Sequence, residues 1–456
     1  MTVLVDERKK TVRALAGQIL RQVEAQKAYA DRLLDQALGA RSLSDRDRAL
    51  LTELVYGTLR WRGKIDAQLV PYLHRPLADI DPLIRNLLRL AVYQLLFLDK
   101  IPDHAAVNEA VELAKSRGGA KAAGFTNAVL RNFIRREKPA KLLSDEDNSV
   151  AALAVVYSHP EWLVERWLRE FGLEATRSLM QANNEKAPLV LRVNSHKTSR
   201  AELLQRLLHA GIDARATERS PQGIRLESSG AVEKLPGFAE GLFQVQSEAS
   251  QLVGNLLSPL SGERILDACA APGGKSTHIA ELMKDQGELI AIDSSARGVE
   301  KIIENAGRLG FKSVQVMRAD ASDKIGGLKL ASFDRILADA PCSGFGTLRG
   351  HPEIKWHRNH SDIQRLSRLQ AKILRRVATY LKPGGVLVYA TCTLAREEND
   401  QVVDAFLAEH KSFELEHASR YLPIAAEAMV RGAFFFALPQ RDDTDGFFAA
   451  RMRKVS

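Results

Sequence analysis

An α/β chain with an all-α N-terminal third is what three features of the sequence predict. Apolar residues recur at helical spacing through residues 8–137, in Val12, Leu15, Ile19 and Leu20, then Leu50, Leu51, Leu54 and Val55, then Ile84, Leu87, Leu88 and Ala91. From Arg264 onward the pattern changes to alternating strand and helix, with strands legible at 264–267, 289–293, 313–317, 333–338 and 386–390. Two late segments, 432–438 and 446–452, read as an antiparallel pair. Five parallel strands with helical crossovers, closed by a β-hairpin, form a doubly wound sheet whose ligand site lies at the C-terminal ends of the strands.

At 456 residues, 45% of them apolar, the chain is long enough for about three domains and can bury substantial cores. The N-terminal stretch MTVLVDERKK turns charged at once, unlike a secretory signal. The longest apolar stretch, 87–98, is interrupted by Arg89 and falls short of the roughly 20 residues that a membrane span needs. A soluble, cytoplasmic protein without membrane association is expected. Residues 1–140 hold 24 Lys and Arg against 16 Asp and Glu, a balance of +8, so nearly all of the net +9 sits in the first third. That asymmetry points to a polyanion, most economically nucleic acid. Cys269, Cys342 and Cys392 are the only cysteines, too few and too scattered for a disulfide framework, and no Cys or His has zinc-site spacing. No metal is expected.

Within the helical third, breakers fall at Gly57, Gly63, Pro71, Pro76 and Pro102. Asp103 is placed to cap a helix through Ala105 to Lys115 that ends at Gly118-Gly119. Its basic residues cluster at Arg60, Arg62 and Lys64, and again at Arg131, Arg135, Arg136 and Lys138. Basic groups near a helix C-terminus also suit the helix dipole. Polar residues 142–149 read as a linker. A small α+β region follows, with a helix within 158–172, a strand at 189–194 and a helix at 200–210 ended by Gly211. Residues 244–258 read as a helix leading into the last domain. The boundaries expected are 1–141, 150–240 and 241–456.

The last domain is organised around RILDACAAPGGKS, residues 264–276. A short strand runs into a loop of small residues, and a helix opens at Lys275-Ser276-Thr277. Glycines let backbone approach a ligand and the helix start offers unpaired N–H groups, so a ligand is expected there. Cys269 stands where a P-loop requires its first glycine, which argues against a phosphate cradle. Asp293, ending the second strand about 20 residues after Gly273, suits ribose hydroxyls, and Asp320, ending the third, suits an adenine amino group. With Asp267 they mark one sheet edge, and the absence of G-x-G-x-x-G favours a methyl donor over a dinucleotide. Two thiols follow the next strands, in Asp339-Ala340-Pro341-Cys342-Ser343-Gly344 and Tyr389-Ala390-Thr391-Cys392-Thr393. A free cysteine is often only a buried core residue, but two at neighbouring strand ends beside an Asp-Ala-Pro turn point to chemistry.

DAPCSG and TCT together with DACAAPGGK are similar to the RNA cytosine-C5 methyltransferases, the NOL1/NOP2/Sun family. The helical third resembles the RNA-binding module of the NusB antitermination family through VYGTLRWRGKID, PDHAAVNEAVELAK and GFTNAVLRNFIRR. The two together match the bacterial branch that modifies 16S ribosomal RNA. The resemblance implies a class I S-adenosylmethionine methyltransferase fold in the last domain and methylation of a cytosine C5, cytosine 967 in that branch. It implies Cys392 as nucleophile toward C6, Cys342 in product release and Asp339 on the base edge. S-adenosylmethionine would be held by Cys269, Ala270, Ala271, Pro272, Gly273, Gly274, Lys275, Asp293, Asp320 and Asp339. RNA would be met by Arg60, Arg62, Lys64, Arg131, Arg135 and Arg136, with Trp356 of HPEIKWHR stacking near it or anchoring its loop. The partner implied is 16S ribosomal RNA, naked or in an early assembly intermediate, met by a monomer. Thr393 stands where the family commonly has Ser, and Phe345 where a smaller residue is usual, a difference that bears on how the base packs.

Overall fold

The structure, a computed structural model, describes residues 11–39, 43–135, 147–227 and 231–455. The chain divides into two units, Met1–Glu185 with Leu348–His357, and Lys186–Thr347 with Arg358–Ser456.

The first unit is helical: α1 (Val12–Gln26), α2 (Ala30–Gly39), α3 (Asp45–Arg60), α4 (Arg62–Leu69), α5 (Pro82–Phe97), α6 (Asp103–Arg135), α7 (Val150–Val156), α8 (Glu161–Phe171) and α9 (Leu173–Asn183). The starts are written in the sequence, since the side chains of Thr11, Ser44 and Asp81 accept backbone N–H groups of α1, α3 and α5. Helix α5 is buried on most of its faces, with Leu87, Leu88, Ala91 and Val92 in the core. The Gly118-Gly119 pair breaks the regular backbone as expected, Gly119 adopting φ 66°, but a second helical run resumes at once and continues to Arg135.

A polar cluster is packed around the buried Arg89 in this unit. Arg89 of α5 donates to both carboxylate oxygens of Asp66, at 2.7 and 2.8 Å, and reaches Glu24 at 3.3 Å. Arg85 and Arg62 also pair with Glu24, at 3.0 and 3.5 Å. Burial alone would raise the Glu24 pKa, but the guanidiniums outweigh it and pull it down to about 2.

The second unit opens with a four-stranded antiparallel sheet in the order β2-β3-β1-β4, from β1 (Leu189–Val193), β2 (Ala214–Ala216), β3 (Gly223–Leu226) and β4 (Phe243–Val245), with α10 (Arg200–His209) after β1. A capping box of Ser199 and Glu202 starts α10. The lead-in expected as helix from residue 244 is divided: residues 243–245 pair with β1, because Phe243 is needed in this small core, and α11 (Glu248–Leu257) begins only afterwards.

The main sheet is built from β5 (Arg264–Ala268), β6 (Glu288–Asp293), β7 (Val314–Arg318) and β8 (Phe333–Asp339), with α12 (Gly274–Leu282) and α13 (Ala296–Leu309) as crossovers. After β8 comes the segment carrying α14 (Ile354–His357), which belongs to the helical unit. Then follow α15 (His360–Ala378), β9 (Leu381–Thr391), α16 (Asp400–Glu409), β10 (Phe413–Glu416), β11 (Val430–Arg431), β12 (Phe434–Ala437), α17 (Pro439–Asp442) and β13 (Phe447–Lys454). The order is β11-β12-β13-β9-β8-β5-β6-β7, with β10 also on β13. β9, β8, β5, β6 and β7 run parallel, and β13 pairs antiparallel with both β9 and β12. A helical pattern covers residues 363–381 in the sequence, but the helix ends sooner, because Leu381 already pairs with Phe333 and the Pro383-Gly384-Gly385 stretch is drawn into β9.

Because the folded pKa of Glu24 lies below its ordinary 4.5, its contribution is present above pH 4.5 and is lost as pH falls toward 2. The Glu24→Gln variant is expected to lose about 3 kcal/mol at neutral pH. The difference from wild type should shrink below pH 4.5 in urea unfolding followed across pH.

Candidate active site

The site is assembled at the C-terminal ends of β5, β6, β8 and β9, inside the second unit. After β5 the backbone turns through Cys269 at φ 62° and Gly273 at φ 97° before α12 begins. A side chain at Gly273 would be strained by that conformation and would lie 3.1 Å from the Ile302 Cα, so glycine is required. Each part of the loop is tied down. Ala270 N–H donates to Ile292 O at 2.9 Å, Ala271 N–H to the Asp293 carboxylate at 3.2 Å, and Asn305 Nδ2 to Pro272 O at 2.9 Å. Gly274 opens α12, and the next residue, Lys275, donates to Asp339 Oδ2 at 2.6 Å. Burial works to lower the Lys275 pKa, but the Asp339 carboxylate prevails and raises it, so the ammonium is held charged.

Four carboxylates surround this loop. The Cys269 thiol is pushed up, first by burial and then by Asp339, Asp293, Asp267 and Asp320. Asp293 ends β6, its Oδ1 taking Ser295 N–H at 2.9 Å. Asp320 is exposed and takes Ser322 N–H at 2.8 Å. Asp267 differs from the expected edge position: it is fully buried inside β5, accepting the Ser276 hydroxyl at 2.6 Å on Oδ2 while Oδ1 has no hydrogen-bond partner. Burial drives its pKa up to about 7.

Strands β8 and β9 pair in parallel with Asp339 opposite Ala390, so the chain segments beyond them leave side by side. Cys342 and Cys392 lie on these segments with their sulfurs 3.3 Å apart. The hydrogen-bond contact with Cys392, together with burial, raises the Cys342 pKa, so Cys342 keeps its proton. Gly346 N–H donates to Cys392 O at 2.9 Å, and Gly446 N–H to Gly346 O at 2.8 Å. A Cβ on Gly346 would lie 2.0 Å from Gly446 O, so only glycine permits this bridge. Lys275 Nζ lies 4.9 Å from the centre of the Phe447 ring.

Several contributors were not foreseen. Arg192 of β1, fully buried, donates to Gly274 O at 2.5 Å, Gln246 Oε1 at 2.5 Å and Thr277 Oγ1 at 2.9 Å, and pairs with Glu281 at 3.3 Å. The small antiparallel sheet thereby braces the first turn of α12, a role nothing in its own residues announces. Glu398 and Asn399, from the EEND run after the second thiol, hydrogen-bond around both cysteine segments. Phe345 is 1% exposed.

The basic residues expected to meet RNA have unlike settings in the helical unit. Arg60 donates to Arg349 O at 3.1 Å, and Arg62 is held between Glu24 and Asp66. Trp356 is a loop anchor: its indole N–H donates to Leu59 O at 2.8 Å and Arg62 lies 5.2 Å over its ring. Lys64 lies 5.4 Å over Trp61. Arg131 and Arg135 are exposed near the end of α6, while Arg136 lies outside the described residues. Among the described residues no group of His, Cys, Asp and Glu could hold a metal, and no helix is long and apolar enough to cross a membrane.

Five parallel strands with an antiparallel hairpin at one edge, and an acid-rimmed loop at the strand ends, are the mark of the S-adenosylmethionine-dependent methyltransferases. The acidic rim suits a sulfonium cation, and Asp293 keeps acceptor capacity for ribose hydroxyls beyond the two N–H groups it takes. Residues 254–453 match the family of 16S rRNA methyltransferase RsmB/F, residues 10–135 the NusB family, and residues 159–233 the ferredoxin-like domain of RsmF/B-like methyltransferases. A probable ribosomal RNA small subunit methyltransferase B of Bacillus subtilis is 42% identical over 448 residues, 98% of this chain and 99% of the relative. The ribosomal RNA small subunit methyltransferase B of Vibrio vulnificus is 38% identical over 97% of this chain and 99% of its own. Among solved structures, PH0851 superposes with a TM-score of 0.84 at 27% identity, covering 98% of this chain and 99% of that one. NSun6 from Pyrococcus horikoshii, solved with SFG, has a TM-score of 0.58 at 26% identity over 65% of this chain and 98% of its own. The chain belongs to the RsmB/F family of 16S rRNA methyltransferases.

For Asp267, a folded pKa raised from 3.8 to about 7 means that stability falls as pH rises between those values, because the unfolded chain ionises first. Asp267→Asn is expected to melt at a higher temperature than wild type at pH 8, by the equivalent of about 4 kcal/mol at most. The advantage should shrink toward pH 4, as thermal unfolding at the two pH values would register.

Proposed function

We propose that this protein transfers a methyl group from S-adenosylmethionine to C5 of a cytosine in 16S ribosomal RNA, through a covalent bond between Cys392 and C6 of the base. By family resemblance the target is cytosine 967. The observation that carries the reading is the pair of thiols 3.3 Å apart at the ends of adjacent parallel strands, with the Lys275–Asp339 pair at the same sheet edge.

Residues 269–275, Asp293 and Asp320 would hold S-adenosylmethionine, which supplies an electrophilic methyl group when bound. Cytosine C5 is too weak a nucleophile to take that methyl unaided. The Cys392 thiolate adds to C6, and the electron pair of the C5–C6 bond moves to C5, making it enamine-like. Asp339 meets the N3/N4 edge of the base, and with the Lys275 ammonium 2.6 Å away the pair supplies a proton as negative charge develops there. Assistance of this type contributes about 10² to 10⁴ in rate. After methylation the C5 proton leaves to a base, its bonding pair restores the C5–C6 double bond, the C–S bond breaks with its pair returning to sulfur, and the proton lent to the base edge returns to the Asp339–Lys275 pair. The protonated Cys342 thiol, 3.3 Å from the Cys392 sulfur, stabilises that departing thiolate. The target base must leave its stack to reach such a site.

RNA contact is assigned to the helical domain, expected over residues 1–141, with Arg131 and Arg135 as its exposed cations and Lys64 beside them in role. Arg60 and Arg62 support that surface from within. Of residues 150–240, β1 braces the cofactor loop through Arg192, and residues 241–456 carry the chemistry. The substrate is taken as naked RNA or an early assembly intermediate, bound by a monomer in the cytoplasm.

In a tritiated-methyl transfer assay on small-subunit RNA, Cys392→Ala is expected to fall at least about 10³-fold while binding S-adenosylmethionine as wild type does. Unchanged methylation in that variant would sink the mechanism. Cys342→Ala should accumulate a protein–RNA adduct that survives a denaturing gel. Mapping of 5-methylcytosine in the product tests the position.

A further inference from the structure

Six residues beyond Cys392 the chain buries a carboxyl group whose hydrogen-bond partners are all neutral. Glu398 is 0% exposed. Its Oε1 accepts Ser343 N–H at 2.9 Å and Gln370 Nε2 at 3.0 Å, and its Oε2 accepts the Ser343 hydroxyl. That hydroxyl lies 2.7 Å from Thr393 Oγ1. Ser343 follows Cys342 and Thr393 follows Cys392, so one carboxyl group spans the residues next to both thiols. Gln370 Nε2 also donates to Pro341 O at 2.9 Å, on the other side of Cys342. Asn399 does the same for Cys392, accepting from Thr391 Oγ1 at 2.6 Å and donating to Thr393 O at 3.0 Å. Tyr389, in β9, donates its hydroxyl to Glu398 O at 2.6 Å and fixes the backbone that carries the carboxyl.

Burial raises the Glu398 pKa against the pull of its hydrogen bonds, so the group is a costly occupant of this position. A well-packed apolar residue would serve stability as well or better. What an apolar residue lacks is the directional set of contacts by which a satisfied polar network selects one geometry. We infer that Glu398 is a positioning residue for the thiol pair, holding the Cys342 and Cys392 segments in the register that sets their sulfur separation. Turnover depends on it through the thiol roles given under Proposed function, on which this part of the inference rests.

The test uses the full-length protein with Glu398→Gln and Glu398→Ala. The glutamine keeps an acceptor for Ser343 N–H and Gln370, and presents an amide that the Ser343 oxygen can accept. The alanine removes both links. The first readout does not depend on activity: the rate at which diamide joins Cys342 to Cys392, followed by mass spectrometry of the linked peptides. Each thiol gives up a proton and one electron, the diazene being reduced to the hydrazine. Wild type and Glu398→Gln are expected to cross-link at similar rates, and Glu398→Ala at least about tenfold more slowly. The second readout is methylation: kcat should fall about 10²-fold in Glu398→Ala and stay within about threefold in Glu398→Gln, with S-adenosylmethionine affinity unchanged in both. Cross-linking of Glu398→Ala at the wild-type rate overturns the inference, whatever happens to kcat. Slow cross-linking with wild-type kcat would keep the positioning role and overturn the thiol roles instead. If Glu398→Ala does not fold, as circular dichroism would reveal, Ser343→Ala cuts the hydroxyl link alone and faces the same two readouts.

Discussion

The parallel pairing of β8 with β9 is the constraint on which this molecule's chemistry rests. Backbone hydrogen bonds set Asp339 opposite Ala390, and the two segments that continue beyond them carry thiols 50 residues apart in sequence into contact. Parallel strands need a long crossover, which α15 and the preceding excursion supply. The pairing also fixes which way the strand ends face, so that Asp339 meets Lys275 from the neighbouring β5 crossover. Everything added around the site, from the Gly346–Gly446 bridge to the Glu398 network, secures segments that the sheet has already brought together.

Charge is handled differently in the two units. In the helical unit Arg89 spans Asp66 and Glu24, and the result is a carboxylate pulled far below its ordinary range. Around the loop after β5, carboxylates gather with one ammonium among them, and burial, reinforced by the neighbouring acids, pushes Asp267 and the Cys269 thiol upward. The first arrangement stabilises the fold. The second leaves acceptor capacity and negative potential unspent by the protein itself, as a site for a cationic ligand demands.

Two residues show how a part with no chemistry of its own serves the site. Arg192 stands on a strand of the small antiparallel sheet, yet three of its hydrogen bonds end on the first turns of α12 or on Gln246 beside it. Its full burial without such partners would be prohibitive, so the sheet and the loop helix are bound to fold against each other. Trp356 shows the reverse, an aromatic with the look of a base-stacking residue that is consumed in anchoring its own loop to Leu59 and Arg62.

What the sequence determined by itself was everything governed by local pattern. Strand and helix periodicity placed the five parallel strands and the closing hairpin, the small-residue run marked 269–275 as the turn after the first of those strands, and DAPCSG with TCT marked the two thiols. Boundaries slipped where a distant partner decided, as at Gln244 and Val245, drawn into β4 by pairing with β1, and at Leu381, drawn into β9 by Phe333. Only the tertiary structure decided how far apart the sulfurs stand, which acid is buried beneath the loop and which line it, and which basic side chains are already taken. Glu398 belongs to that class: EEND shows two acids after a thiol, but a side chain's burial and partners come from segments remote in sequence. Periodicity reports which face of an element is apolar, whereas contact distances, desolvation and pairing arise from packing between elements, and no local pattern encodes them.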